Sequence, residues 1–384
     1  MEIKNICCLG PNHIGCRTMS VIALKCREIK VSVVNLNKAS IAAWSNENLD
    51  NLPVYEPRLA EVVGETRGRN LFFSVDVDAA IDAADMIFTA VNTPTKTSVE
   101  GKGVAADLKF VELCARQITR IAKNDKIIVE KSTLPVRTAE TLQIILDSTG
   151  NAVHFEVLSN PEFLAEGKAI EVLFNSDRVL IGGKQTPKVK EVILELKDVY
   201  AHWLTPKQIL TTNVRSFELS KLTANTFLAQ RISSINTFSA LCEVIEANVD
   251  EVVNAIGSDS RIGPKILKAS VGFAGSCFQK DILNLVDLCL YFNLPGMAHY
   301  WEQVIILKDY QKSRFAKKNI NSLFNTVSDK KTTFLSRAFK KNINDNRESA
   351  TIYVADYLTK NGAQIHAYLS KVSESKIKAD MSNI

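Results

Sequence analysis

Several features that would place this sequence in a function class are missing from it. No apolar run reaches the ~18 residues that a helix needs to cross a bilayer, so no membrane-spanning segment is expected. No cationic region precedes the apolar strand starting at residue 3, so no secretory leader is expected either. None of the eight cysteines, at 7, 8, 16, 26, 114, 242, 277 and 289, forms a Cys-x-x-Cys pair. That spacing argues against a zinc site or a redox dithiol and fits a reduced, cytoplasmic thiol set with no metal. Aromatic residues do not interleave with the basic ones as single-strand binders require, so nucleic acid is not an expected partner. No short internal repeat or low-complexity tract occurs.

Charge of one sign is short in one region. Residues 301–384 carry 15 Lys and Arg against 8 Asp and Glu, an excess of seven, which leaves the first 300 residues at minus two of the total +5. Solvated helix faces at Lys312, Arg314, Lys317 and Lys318 account for the excess. A site for a phosphorylated small molecule is the other reading.

What is present is globular: 384 residues, 46% hydrophobic and 23% charged, enough for two domains and a remainder. Residues 3–9 read as a buried strand, Gly10 opens a turn, a helical stretch runs to about Glu28, and 31–36 read as a second strand. That is the first βαβ unit of a doubly wound sheet. Strands are also expected at 71–74, 86–91, 126–130 and 155–158, with helix-like segments between them. Residues 207–256 contain neither Gly nor Pro and show helical apolar spacing, so one or two long helices are expected. Near residue 330 a strand (332–335), a helix (348–361) and a strand (364–368) begin a second βαβ unit, and residues 371–384 have little to bury. The expected fold class is α/β in three parts. A Rossmann-like doubly wound parallel sheet spans 1–206, a long-helix, helical dimerisation domain spans 207–328, and an incomplete second Rossmann-like domain spans 329–384.

The turn at 10–15 reads Gly-Pro-Asn-His-Ile-Gly. The first and third glycines of a dinucleotide-binding turn are there, but the middle one, which lets the backbone approach a pyrophosphate, is Asn12. The acid expected at the end of the second strand for a ribose is Asn35, which loses a charge-assisted contact. Alone, this motif fits a βα turn with or without a ligand.

Later stretches carry more chemistry. Residues 159–167 place Glu162 and Glu166 after a strand, near the carboxyl edge where open α/β sheets bind ligands. Lys221 and Asn225, four apart on the long helix, share a face and suit an oxygen that becomes negative. Cys277 follows a small-residue loop and precedes Lys280 and Asp281 at a helix start, where a thiolate is favoured. Cys7 and Cys8 lie in a strand, and Cys114, Cys242 and Cys289 in helical apolar spacing, as core residues.

With 52–57 (Leu-Pro-Val-Tyr-Glu-Pro), 91–96 (Val-Asn-Thr-Pro-Thr-Lys), 130–137 (Glu-Lys-Ser-Thr-Leu-Pro-Val-Arg), 177–182 and 218–225, these residues closely resemble the UDP-glucose/GDP-mannose dehydrogenase family, in its eukaryotic UDP-glucose-oxidising form. The match runs nearly end to end. The resemblance implies oxidation of the C6 alcohol of UDP-glucose to the carboxylate of UDP-glucuronate with two NAD. It gives residues 1–206 the NAD and residues 329–384 the UDP-sugar, with a homo-oligomer, at least a dimer, through the central helix. It implies that Glu162 and Asp281 handle protons, the latter through a water. Lys221 and Asn225 stabilise an oxyanion, and Cys277 holds the aldehyde as a thiohemiacetal and then a thioester. Gly10, Asn12, His13, Ile14, Gly15, Asn35, Val91, Asn92, Thr93, Thr133, Glu166 and Arg347 fall on cofactor positions, Thr133 also on a catalytic one. Glu162, Phe163, Leu164, Ala165, Glu166, Lys221, Asn225, Arg261, Lys268, Phe273 and Lys340 fall on positions that contact the nucleotide sugar.

Departures from the family pattern are Asn12, Asn35, Ser40 for an Arg, Ala274 for a Gly, Lys308 for an Asn, Ser336 and Arg337, and Leu369 and Ser370 for Asp-Pro. The resemblance also implies a further part of the last domain that these 384 residues do not contain. Two readings follow: a working dehydrogenase, or a catalytically impaired relative or truncated isoform that keeps the fold and the dimer surface. Loss of contacts at Asn12 and Asn35, at roughly 3–5 kcal/mol together, weakens NAD binding by two to three orders of magnitude or more. Reduced or absent turnover is the expected result. A GDP-mannose enzyme is a distant third reading, since Phe278 and Gln279 favour the glucose enzyme by resemblance.

Overall fold

A computed structural model describes residues 2–94, 96, 106–132, 138–148, 153–164, 166–335, 343 and 348–368. The chain divides into two compact units, Met1–Lys221 and Leu222–Ile384.

The first unit is built on a sheet that has eight strands among the described residues. In chain order it runs β1 (Asn5–Leu9), α1 (His13–Lys25), β2 (Lys30–Val34), α2 (Lys38–Trp44), α3 (Leu59–Thr66), β3 (Leu71–Ser74), α4 (Val77–Ala83) and β4 (Met86–Thr89). It continues through α5 (Lys109–Ile121), β5 (Lys126–Glu130), α6 (Thr138–Asp147), β6 (Phe155–Ser159), α7 (Ala169–Phe174), β7 (Val179–Gly183), α8 (Pro187–Ala201) and β8 (Ile209–Asn213). Strand order is β3-β2-β1-β4-β5-β6-β7-β8. The pairs from β3 to β6 are parallel, as are β7 and β8, and β6 meets β7 antiparallel through Ser159 and Gly182.

Period-two alternation sends successive strand residues to opposite faces, and both faces are covered. Ile6 and Cys8, Val31 and Val33, Met86 and Phe88 pack in one core with Met19 and Ile22 of α1, Val62 of α3 and Ile193 of α8. Cys7, Leu9 and Ile87 pack in the other with Ile81 of α4, Val111 and Ile118 of α5 and Leu142 of α6. Near-continuous apolar strands such as Lys-Ile-Ile-Val-Glu at β5 are the mark of a sheet buried on both sides. The helix starts are set by local chemistry. Asn12, Asn37 and Asp76 cap α1, α2 and α4 with their side chains, and Thr186 with Pro187 starts α8.

The segment free of Gly and Pro becomes β8, then α9 (Val214–Val244) and α10 (Val249–Gly257). One or two long helices were expected, and two are there. The strand at its start was not anticipated, nor was β7: β8 has two apolar residues before Thr-Thr-Asn and runs straight into α9, and β7 has three before two glycines. The second unit contains the rest of α9, α10, α11 (Ser276–Tyr291), α12 (Pro295–Ser322), β9 (Lys331–Phe334), α13 (Ala350–Lys360) and β10 (Gln364–Ala367). Strands β9 and β10 pair in parallel across α13, as expected of the second βαβ unit. Ala229, Phe273, Ile282, Val286, Ala298 and Val304 form one core there, and Ala316, Val327, Val354 and Leu358 another. One expectation is corrected: Lys312 does not lie on a solvated face. It is buried, with its ammonium 3.5 Å from the centre of the Tyr353 ring and 3.1 Å from Asp309. Lys317 and Lys318 are exposed as expected, whereas Arg314 is half-buried and paired with Glu243. No helix among the described residues is long and apolar enough to cross a membrane.

Candidate functional site

In the first unit, strand order reverses between β1 and β4, and open α/β sheets bind ligands at such a switch point. Gly10 lies there with φ +102°, and a Cβ on it would sit 2.5 Å from the carbonyl oxygen of Ala90 just past β4. Only glycine makes that turn. A Cβ on Gly15 would lie 2.7 Å from Gly10 O and 3.0 Å from Cys8 Sγ, so Gly15 keeps α1 tight against β1. Asn12 is extended (φ −83°, ψ 178°), with no use of a left-handed backbone. Its Oδ1 bends back to accept from the amides of Ile14 (3.0 Å) and Gly15 (2.8 Å), which are the amides a phosphate would seek at a helix start. Asn35 Oδ1 accepts from the Asn37 amide at 2.8 Å. Val91 packs against the core beside β4, Asn92 is exposed and Thr93 is buried. Thr133, Ala165, Lys340 and Arg347 lie outside the described residues, and of His13 only the backbone is described.

The Glu162 stretch is held by a polar network that sequence reasoning did not foresee. Glu162 is buried, 2.7 Å from the buried ammonium of Lys131, and accepts from Thr18 of α1. Lys131 also donates to Asn160 Oδ1 (2.8 Å) and meets Tyr200 OH (3.0 Å), which in turn donates to Asn160 Oδ1 (2.6 Å). Burial opposes the charge on Lys131, but Glu162 and Tyr200 outweigh it and hold the lysine above its usual range. The signal was present in the Glu-Lys-Ser-Thr run at 130–133 and in Ser-Asn-Pro at 159–161, though neither run says that they meet. A second buried pair supports the loop: Arg17 of α1 lies 2.9 Å from Glu56, whose carboxylate accepts from the amides of Gly167 and Ala169 at the start of α7. Phe163 is stacked between cations, with Arg178 4.5 Å and Lys221 Nζ 4.9 Å from its ring centre. Leu164 and Glu166 are half-buried on the same loop. At the end of β5, burial and the nearby charge of Glu218 push the carboxyl of Glu130 up to about 8, against one hydrogen bond from Ser159.

In the second unit, Cys277 is the second residue of α11, behind Gly275 (φ +85°), and among the eight cysteines it is the exposed one. The helix N-terminus presents backbone N–H groups and a positive dipole end to negative charge there. Asn225 Nδ2 of α9 donates to Asp281 Oδ2 on the next turn of α11, and both side chains are buried. Phe273 packs edge-on against Phe278, ring centres 5.9 Å apart, and Lys308 lies 5.0 Å from the Phe273 ring while bonded to Gln279. Burial, with Lys312 beside it, pushes Lys308 down to about 8. Arg261 and Lys268 are exposed, and Arg261 is drawn onto Asp259 through Nε and Nη2. The structure thus brings Lys221 onto Phe163, beside Glu162 in sequence, and Asn225 onto Asp281, one turn along α11 from Cys277.

A family model for the NAD binding domain of UDP-glucose/GDP-mannose dehydrogenases matches residues 4–204, and the model for their central domain matches 215–308. The chain belongs to the UDP-glucose/GDP-mannose dehydrogenase family. Its relatives include the UDP-glucose 6-dehydrogenases of Mus musculus, 56% identical over 384 residues, and Bos taurus, 57% identical over 383 residues, each match covering 100% of this chain and 77% of the relative. A solved UDP-glucose dehydrogenase from Pyrobaculum islandicum superposes with a TM-score of 0.88 at 29% identity, covering 98% of this chain and 84% of that one. As a dehydrogenase of this family, the chain uses NAD, and its first unit fits that cofactor. The Gly10 turn and the close packing at Gly15 set the start of α1 at the switch point, as such a turn requires. The misfit is local: the Asn12 side chain must leave the Ile14 and Gly15 amides before a pyrophosphate can take them.

Proposed function

We propose that this chain oxidises the C6 alcohol of UDP-glucose to the carboxylate of UDP-glucuronate. The observation that carries the proposal is the exposed Cys277 at the start of α11, in a family whose relatives are UDP-glucose 6-dehydrogenases. NAD, bound twice in succession, supplies the acceptor for the two hydrides. The turn at Gly10, the amides of Ile14 and Gly15, Asn35 and the segment 91–93 would hold it. Glu162 receives the alcohol proton, and its Lys131 partner steadies the carboxylate. Lys221 and Asn225 offer N–H donors to the oxygen that gains negative charge. The Cys277 thiolate adds to the aldehyde, which forms a C–S bond and keeps the intermediate from escaping before the second oxidation. The carbonyl π bond opens as the C–S bond forms, and loss of the second hydride to the acceptor turns this thiohemiacetal into a thioester. Water cleaves the C–S bond to give the carboxylate and the free thiol, and Asp281, bonded to Asn225, takes a proton from that water. Phe273, Arg261 and Lys268 are assigned to the nucleotide sugar. NADH formation from UDP-glucose should vanish in Cys277→Ala, and unchanged turnover in that variant refutes the thiol mechanism.

The domain division at 206 and 328, a cytoplasmic location and assembly into at least a dimer through α9 belong to the same reading. Supporting the dimer, Phe238, Leu241 and Val244 of α9 and Ile245 after it are exposed, with Val244 82% exposed. A second reading, the catalytically impaired relative, is favoured by the Asn12 cap on the phosphate-facing amides. Calorimetric titration of NAD tests its ground: affinity like that of an unimpaired dehydrogenase refutes the view that Asn12 and Asn35 impair the site.

A further inference from the structure

We propose that the first unit carries a metal site away from the cofactor crevice, in which Cys26 Sγ, a Glu28 carboxylate oxygen and His202 Nε2 bind one divalent ion of the zinc class. These three atoms lie within 4.8 Å of one another. Bonds of about 2.0–2.3 Å in a tetrahedral zinc site put ligand atoms roughly 3.4 Å apart. The closure needed is small. Glu28 and His202, with side chains 62% and 38% exposed, can make it by rotation.

Two further observations favour a cation there. Cys26 is the C-cap of α1 and His202 the C-cap of α8, so two helix C-termini, each a partial negative charge, converge on this point. The hydrogen bonding of His202 also leaves a place to fill. Its Nδ1 lies 2.8 Å from the Asp198 carbonyl oxygen, which can only accept, so Nδ1 carries hydrogen. Its Nε2 lies 2.9 Å from Glu28 Oε1, a second acceptor. An imidazole that donates through Nδ1 turns its Nε2 lone pair toward Glu28, where one metal ion can take both atoms. An Nδ1–H bound to a backbone carbonyl is how metal-binding histidines fix the tautomer that ligates through Nε2. The buried thiol of Cys26 completes a sulfur, nitrogen and oxygen set that suits zinc better than magnesium or calcium.

On binding, the Cys26 S–H bond breaks, the sulfur keeps its electron pair for the metal, and the proton goes to solvent with no change of oxidation state. A water fills the fourth position. The site lies at the opposite end of α1, 13 residues long, from the Gly10 turn, about 20 Å away. The ion therefore acts as a staple between α1 and α8, outside the hydride chemistry.

Cobalt(II) titrated into the purified full-length chain tests this. One equivalent should produce a thiolate-to-cobalt charge-transfer band that zinc displaces, that persists in Cys277→Ala and that disappears in Cys26→Ser and His202→Ala. Glu28→Gln, on the surface, leaves the fold intact and should weaken cobalt binding about tenfold or more. Absence of a band in the wild-type chain, or its survival in Cys26→Ser, overturns the proposal. Unaltered affinity in Glu28→Gln overturns the three-ligand site.

Discussion

Replacing Asn12 with glycine tests the link between the altered turn and cofactor affinity. In the structure, Asn12 Oδ1 accepts from Ile14 N at 3.0 Å and Gly15 N at 2.8 Å, which makes it both the N-cap of α1 and a competitor for phosphate. Glycine is nearly as good at an N-cap as asparagine, so Asn12→Gly should cost only a few tenths of a kcal/mol. At about 2–4 °C per kcal/mol for a unit of this size, the melting temperature falls by about 1 °C. Binding moves the other way. A hydrogen bond to a charged phosphate is worth about 1.5–3 kcal/mol, so release of even one amide to the pyrophosphate tightens NAD by roughly 10- to 150-fold. Calorimetric titration of NAD into wild type and Asn12→Gly, with a thermal melt of each, measures both effects. An unchanged or weaker NAD affinity in Asn12→Gly, with the melt shifted no more than expected, refutes the argument that the Asn12 cap withholds the phosphate site.

Two further outcomes follow from the buried network. Lys131→Met leaves the Glu162 carboxylate buried opposite no cation, and the chain should lose about 3–5 kcal/mol in a urea melt; a loss under 1 kcal/mol shows that the pair is not the support it is taken for. Glu130 has a folded-state pKa raised to about 8 from an unfolded value near 4.3, so the folded state binds the extra proton between those values. Its contribution to stability is therefore full below the unfolded pKa, falls as pH rises toward 8 and is flat above it. Glu130→Gln should abolish that decline and melt higher than wild type at pH 8, and parallel pH profiles for the two proteins would contradict the assignment.

Much of the fold was legible because its signals are local. Glycine at 10 and 15, apolar strands of five residues and the absence of Gly and Pro from 207 to 256 need no partner elsewhere in the chain to declare a turn, a strand or a helix. The Asn12 cap was equally legible, since asparagine ahead of a helix is a favoured N-cap, although the turn drew attention only to the glycine it replaces. Strands β7 (Val-Leu-Ile-Gly-Gly) and β8 (Ile-Leu-Thr-Thr-Asn) escaped because apolar runs of three and two residues are too short to tell strand from helix.

The charged interior was a different matter. Lys312 reads as surface by residue type, and only the packing of α12 against α13 brings Tyr353 over its ammonium. Lys131 and Glu162, Arg17 and Glu56, and the Cys26–Glu28 pair and His202 are distant in sequence and join only where helices and strand ends converge. By itself the sequence determined most of the α/β elements and the family, and it placed the proposed nucleophile Cys277 at a helix start, since these rest on spacing along the chain. Only the tertiary structure decided which buried charges are compensated and where two helix C-termini meet, because a desolvated charge is set by the groups around it in space and sequence separation carries no information about them.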